Sequence, residues 1–392
     1  MHRLKTGSWI TLERIRVYSV MMLAFWAVGI LAVLVTSEGG LDFLGRPLGT
    51  DFSNVWSAGR LVLDSNAAAA YDTSLHHAVQ KAAFNSPNIP YYGWHYPPFF
   101  LFIAGALALL PYGSAVLVWL SATFPLYLGV VHKISDVPLT LLLAAAYPAV
   151  AVNMIHGQNG FLSAALLGAG VLCLDRRPVL AGLAFGLLAY KPQFGLLIPL
   201  VLGVTGRWRV FGVASLTVAI LIGASTAVFG FEIWQAFIDS TRFTRTVVLE
   251  GGALAPEKML SIFAAFRMWG FSVTLAYIAQ GVLALFVATT LVKLWQKPVA
   301  VPLKSAALVT ATLLVTPYAM DYDLVILGLG LVWMVTYGLE NGFLPWEKSA
   351  LVLVWALPML SRVSALALSV PLGLMGLLMF YGLILRRVEQ GE

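Results

Sequence analysis

Charge is what this chain has least of. Asp, Glu, Lys and Arg make up 11% of its 392 residues, against about 25% in a soluble globular domain. Hydrophobic residues reach 60% and recur in runs of helical length. That balance excludes an ordinary soluble domain and places the chain among integral membrane proteins. Cysteine is nearly missing too: Cys173 stands alone inside an apolar run. A disulfide framework is therefore excluded, and a thiolate metal site is not expected. Nucleotide signatures are absent, with no P-loop glycine–lysine pattern and no G-x-G-x-x-G opening a helix after a strand. This argues against a cytoplasmic nucleotide-driven machine. The chain has no internal repeat of fixed period and no low-complexity segment beyond residues 67–70. Its net charge of +6 does not point to nucleic acid, because the basic residues sit singly or in pairs between apolar runs, the pattern that sets membrane topology.

The first apolar run, 17–36, is too long for the core of a signal peptide and has no small-residue cleavage site after it, so it reads as a retained span. Further spans are expected at 114–131, 138–152, 160–174, 178–190, 194–206, 209–229, 273–295, 303–318, 323–339, 349–361 and 364–385. The expected fold is an all-α integral membrane protein of about 12 transmembrane helices, a single polytopic unit over residues 1–392. Arg14 and Arg16, His132 and Lys133, Arg176 and Arg177, Arg207 and Arg209, the basic residues from Lys293 to Lys304, and Arg386 and Arg387 then share one face. The positive-inside rule makes that face, and both termini, cytoplasmic. The alternation needs one net crossing over residues 97–131. Residues 97–110 are therefore expected to form a re-entrant or juxtamembrane half-helix, broken at Pro111-Tyr112-Gly113; a full span there would invert the middle of the chain. The opposite face carries two loops, 37–96 and 230–272. The first has helical stretches near 55–63 and 74–84, and the second an interfacial helix near 257–269. Neither loop is large or apolar enough to be a domain of its own.

That outer face collects the polar residues. In chain order they are Asp51 and Phe52, His95-Tyr96-Pro97-Pro98, His156-Gly157-Gln158-Asn159, Lys191-Pro192-Gln193, Arg242 with Arg245, and Thr316-Pro317-Tyr318 with Asp321, Tyr322 and Asp323. Ionisable groups at bilayer depth cost about 2.5–3.5 kcal/mol each on insertion scales, so they face a cavity or a partner and mark function. Each also has a plain structural reading. Asp51 is a favoured helix N-cap, and Pro97-Pro98 starts a helix. Gly157-Gln158-Asn159 suits a turn. Arg242 and Arg245 suit interfacial anchors. Lys191 interrupts a long apolar stretch, and its partner is either a lipid phosphate or a nearby Asp. Asp321 and Asp323 make a weak metal signal without further ligands, and no metal is expected.

Taken together, Asp51-Phe52, Trp56-Ser57-Ala58-Gly59, Tyr71-Asp72, Tyr96-Pro97-Pro98-Phe99, Gly157-Gln158-Asn159, Ala181-Gly182, Lys191-Pro192-Gln193, Arg207-Trp208-Arg209, Thr316-Pro317-Tyr318 and Asp321-Tyr322-Asp323 occur in an order that resembles glycosyltransferase family 87. These are the polyprenyl-phosphate-mannose-dependent mannosyltransferases, formerly grouped as a domain of unknown function. The resemblance spans roughly residues 50–330. It implies a GT-C-type bundle whose first outer loop carries an acidic catalytic residue, with Asp51 as general base. The implied reaction is transfer of a hexose, mannose by the family pattern, from a polyprenyl-phosphate sugar to an acceptor hydroxyl by inverting single displacement. The lipid phosphate leaves as an anion, so it needs cationic or hydrogen-bonding neighbours rather than a strong acid. Lys191, His156, Gln158, Asn159, Gln193, Arg242 and Arg245 are the candidates for the donor and its phosphate, Lys191 first. His95, Tyr96, Tyr318, Asp321 and Asp323 are candidates for the acceptor or the cavity. One departure stands out: members often carry a histidine in the last motif, where this chain has Tyr322 and Asp323.

The expected partners are a polyprenyl-phosphate sugar donor, a glycolipid, polysaccharide or protein acceptor, and membrane lipids, with no nucleic acid and no cofactor. The expected place is the inner (plasma) membrane, with the site facing the periplasmic or extracytoplasmic side. A transporter or flippase of lipid-linked sugars shares the spans and the polar cavity. However, it often shows related halves with matching broken helices, which this sequence lacks. An assembly subunit without catalysis is a third reading, under which Asp51 and Lys191 are dispensable.

Overall fold

The computed structural model describes residues 1–252 and 256–391. Among the described residues there are helices and no strand, only isolated bridge pairings such as Met259 with Met320. Among the described residues six helices are long and apolar enough to cross a membrane: Leu12–Val35, Tyr112–Ile134, Trp208–Phe229, Val273–Gln296, Asp321–Asn341 and Glu347–Leu368. The pair Pro138–Ala146 and Pro148–Ile155, bent by 52° at Tyr147, makes a seventh if counted as one span. The chain is a multi-pass membrane protein.

The long helices divide by what they touch. Leu12–Val35 has 6% of its most apolar window buried, whereas Asp321–Asn341 has 78%. The first is an outer helix whose Met21, Phe25 and Val28 side chains face outward. The last is the centre of the bundle, packed against Val301–Leu314, Gly160–Cys173 and Tyr112–Ile134. Apolar side chains on all sides mark a helix with protein or lipid on every face, and packing decides which.

Five apolar helices are shorter: Pro98–Ala108, Gly160–Cys173, Pro178–Tyr190, Pro192–Val204 and Val301–Leu314. At 1.5 Å per residue the longest of them covers about 21 Å, less than the ~30 Å of a hydrocarbon core. Their ends therefore bring backbone groups without intrahelical partners into the protein, where side chains such as Asn153 and Gln280 take them up. The breaks coincide with the polar motifs: 156–159, 191, and 315–320.

Several boundaries differ from expectation. The half-helix expected over 97–110 is a 3-10 turn at Pro98–Phe100 followed by Leu101–Ala108, and the chain restarts at Tyr112. The spans drawn at 349–361 and 364–385 are in fact Glu347–Leu368 and Leu372–Glu389. A helix runs straight through Arg362, and the break falls at Val370-Pro371, because Ser369 takes a left-handed conformation before the proline. In the second loop the helix expected near 257–269 is only Ile262–Met268, and residues 253–255 lie outside the described residues. That loop opens with an unexpected helix, Glu232–Phe243, continued by π-helical turns over Thr244–Glu250.

Candidate active site

The first loop holds two helices, Phe52–Leu63 and Thr73–Ala83. Asp72 caps the second, accepting from the Ser74 and Leu75 amides, while Tyr71 Oη donates to the Tyr96 carbonyl. The Tyr71-Asp72 pair is thus structural. Gly59 explains another motif: a Cβ there would stand 2.0 Å from the Ala104 carbonyl oxygen. Helix Phe52–Leu63 crosses Leu101–Ala108 backbone to backbone at that point, and only glycine permits it.

This crossing anchors the turn that carries Asp51. Asp51 occupies the N-cap position of Phe52–Leu63, but its carboxylate makes no capping hydrogen bond. It accepts instead from Gln158 Nε2 at 2.9 Å. The first amides of that helix are taken instead by the Gly49, Thr50 and Asp51 carbonyls, so the half-buried carboxylate is not needed as a cap and turns to a distant side chain.

Gln158 is presented by the break after Pro148–Ile155. Asn153 closes that break: its Nδ2 donates to the Gln158 carbonyl and its Oδ1 accepts from the Gly160 amide, at 3.0 and 2.8 Å. Gly157 has a φ of 57° and lies against the Asp51 turn, where a Cβ would stand 2.7 Å from Phe52 Cβ. Beside it, Thr50 Oγ1 and His156 Nδ1 share a hydrogen bond of 2.7 Å. Asn159 donates to Tyr96 Oη at 2.7 Å, and the Asn159 carbonyl accepts from Tyr190 and Ser163.

The last motif closes the cluster. Asp321 and Asp323 do not share a ligand. Asp321 lies 3.4 Å from Arg362 Nε, and Asp323 accepts from Lys191 Nζ at 2.7 Å. Asp323 also accepts from the Met320 amide. Among the described residues no three His, Cys, Asp or Glu groups stand together so as to hold a metal ion. Of the two partners open to Lys191, the structure supplies the carboxylate. The pair is buried, and the ammonium lies 4.9 Å from the Tyr322 ring centre and 5.2 Å from that of Phe194.

His95 shares a hydrogen bond of 2.9 Å with Thr244 and meets the edge of Tyr318. The protein packed around its imidazole pushes the pKa down to about 4, against the attraction of Asp51, so the ring is neutral at physiological pH. Asp51 is near enough for its charge to reach His95, His156, Tyr318 and Asp321. Gln193 sits half-buried on the turn after Lys191. Arg242 and Arg245 are different: both are largely exposed and paired with carboxylates of their own segment, Asp239 and Glu250. Sequence reasoning missed Thr50, Asn153, Tyr190 and Arg362. Only Arg362 carried a signal, the one that marked Lys191: a charge inside an apolar run.

The fold and this cluster define a multi-pass membrane protein with a carboxylate-bearing, aromatic-walled site at one end of its bundle, built from the ends of broken helices. The family model for glycosyltransferase family 87 matches residues 94–317, more than half of the chain, and the chain belongs to that family. It is a membrane glycosyltransferase and uses a sugar donor and an acceptor. Comparison with curated proteins and with solved structures gives no match. The matched stretch holds Gln158 and Lys191, while Asp51, Tyr318, Asp321, Asp323 and Arg362 lie outside it.

Proposed function

We propose that the protein transfers a hexose, with mannose as the first candidate, from a polyprenyl phosphate to an acceptor hydroxyl on the extracytoplasmic face of the plasma membrane. The observation that carries this reading is the Asp51 carboxylate, released from capping and oriented by Gln158. A general base must be held by partners that leave one oxygen able to accept a proton. Gln158 holds Oδ2, and Oδ1 takes the proton of the acceptor hydroxyl.

The reaction is a single displacement. The acceptor oxygen forms a bond to the anomeric carbon as the bond from that carbon to the phosphate oxygen breaks. The electron pair leaves with the phosphate, the proton goes to Asp51, and the anomeric centre inverts. The charge of the carboxylate reaches His95, Tyr96 and Tyr318, and aromatic side chains with a polar tip are of the kind that bind sugars. The neutral imidazole of His95 and the imidazole of His156, held by Thr50, serve as hydrogen-bonding groups.

The test supplies the purified protein in detergent with a radiolabelled polyprenyl-phosphate hexose and a panel of acceptor lipids and oligosaccharides. Asp51→Asn is expected to lower transfer by about 10²–10⁴-fold, the usual worth of a general base, with donor binding kept. Undiminished transfer by Asp51→Asn would remove the base assignment. Donor movement across vesicles without product formation would favour a flippase.

A further inference from the structure

The reaction proposed above leaves a phosphate anion, and the cations expected to meet it are occupied or remote. Lys191 is enclosed between two rings with its charge held by Asp323. Arg242 and Arg245 are exposed, with carboxylates of their own. One guanidinium in the cluster is held differently. Arg362 projects from helix Glu347–Leu368 with its side chain 31% exposed, Nε 3.4 Å from Asp321 and Nη1 3.4 Å from His156 Nε2. Both separations exceed the 2.7–3.2 Å of a good hydrogen bond. The fork has five N–H donors, and these two contacts engage it loosely.

The geometry of its neighbours fits an anion. His156 is fixed from its other nitrogen by Thr50, the residue next to Asp51, so Arg362 stands one imidazole away from the catalytic turn. Lys258 adds a second positive charge within reach of the same imidazole. Its turn, Pro256–Lys258, packs on the helix that carries Arg362, and Met259 pairs with Met320 beside Asp321. A planar guanidinium matches a phosphate through two parallel hydrogen bonds, which an ammonium does not.

We propose that Arg362, held loosely by Asp321 and His156 until the donor arrives, is the ligand of the donor's lipid phosphate. This rests on the function proposed above, and it names a residue beyond the stretch matched by the family model. Asp321 is then the exchange partner: it neutralises the guanidinium in the empty site and yields it to the phosphate. At the end of the displacement Arg362 faces the phosphate oxygen on which negative charge develops.

The test measures binding of undecaprenyl phosphate and of undecaprenol to the purified full-length protein in detergent. Arg362→Met alone leaves Asp321 buried and unpaired, so the double variant Asp321→Asn/Arg362→Met is made beside it to keep the fold. The double variant is expected to lose affinity for the phosphate by about ten- to a hundredfold, the worth of one or two charged hydrogen bonds. Its affinity for the alcohol should be unchanged, and Arg362→Lys should recover only part of the loss. Asp321→Asn alone, which frees the guanidinium, should bind the phosphate at least as tightly as the wild type. Unchanged phosphate affinity in the double variant, while the wild type binds and transfers, overturns the assignment of Arg362 and leaves the function standing. A loss in Asp321→Asn equal to that in the double variant overturns it as well, since the pair would then be a strut. A wild type that neither binds the phosphate nor transfers a hexose overturns both.

Discussion

Gly59 and Gly157 show how single residues hold the turn that carries Asp51 in place. At Gly59 there is no room for a side chain, because the Ala104 carbonyl occupies the position of the missing Cβ. Gly59→Ala is expected to cost about 1–3 kcal/mol from overpacking, and more if the rigid backbone contact cannot relax. At Gly157 a left-handed φ adds about 1–2 kcal/mol for any L side chain to a close contact with Phe52. Thermal melts of both variants in detergent, with transfer measured well below the melting temperature, check this. Gly59→Ala should lose stability and transfer together, and Gly157→Ala should lose transfer even where the fold survives. His76 gives a pH-dependent case. It is fully buried, Nε2 donates to the Asn54 carbonyl, and burial lowers its pKa from 6.5 to about 4. Between those values the unfolded chain binds a proton that the folded chain refuses. Its contribution is therefore present above pH 6.5 and is lost as pH falls toward 4, by about 1.4 kcal/mol per pH unit. The stability difference between wild type and His76→Phe should narrow when melts are taken at pH 5 instead of pH 7.

Among the elements, the ends of helices carry more than their lengths. Arg386 and Arg387 read in the sequence as a basic end that sets topology, but they part company in the fold. Arg386 is tied to the Pro345 carbonyl, while Arg387 is fully buried and donates to Glu347 at 2.6 Å and to the Gly342 carbonyl. This pair locks the start of Glu347–Leu368, the helix of Arg362, to the end of Leu372–Glu389. Glu347→Gln should destabilise the protein by about 3–5 kcal/mol, since it leaves a buried charge uncompensated, and a fluorescence melt would reveal it. Gln280 plays a similar part for the second loop. It accepts from the Phe263 amide and donates to the Leu314 carbonyl, joining Ile262–Met268 to the end of Val301–Leu314. Gln280→Leu is expected to cost about 1–3 kcal/mol per orphaned backbone group.

For the molecule as a whole, the arrangement of faces is open to direct measurement. A single cysteine at Gln193, in a chain with Cys173→Ser, should react with a membrane-impermeant maleimide added outside intact cells. Labelling only after the cells are opened would reverse the proposed orientation and move the site to the cytoplasmic side. The membrane class, the polar breaks between apolar runs, and the grouping of Asp51, Gln158, His156 and Asp321 were legible in the sequence. Hydropathy is local, and a charged residue inside an apolar run stands out wherever the chain later goes. The bounds of the helices were less legible. The chain is apolar on both sides of Arg362, and the helix stops only at Ser369, whose left-handed backbone precedes Pro371. Tertiary structure alone decided the pairings. Lys191 and Asp323 are separated by 132 positions and Arg362 and His156 by 206, and no local pattern links residues so far apart. Which cation is neutralised in the core and which is left loose near the Asp51 turn depends on how the broken helices meet. That is a property of packing, because burial fixes the cost of each unpaired charge.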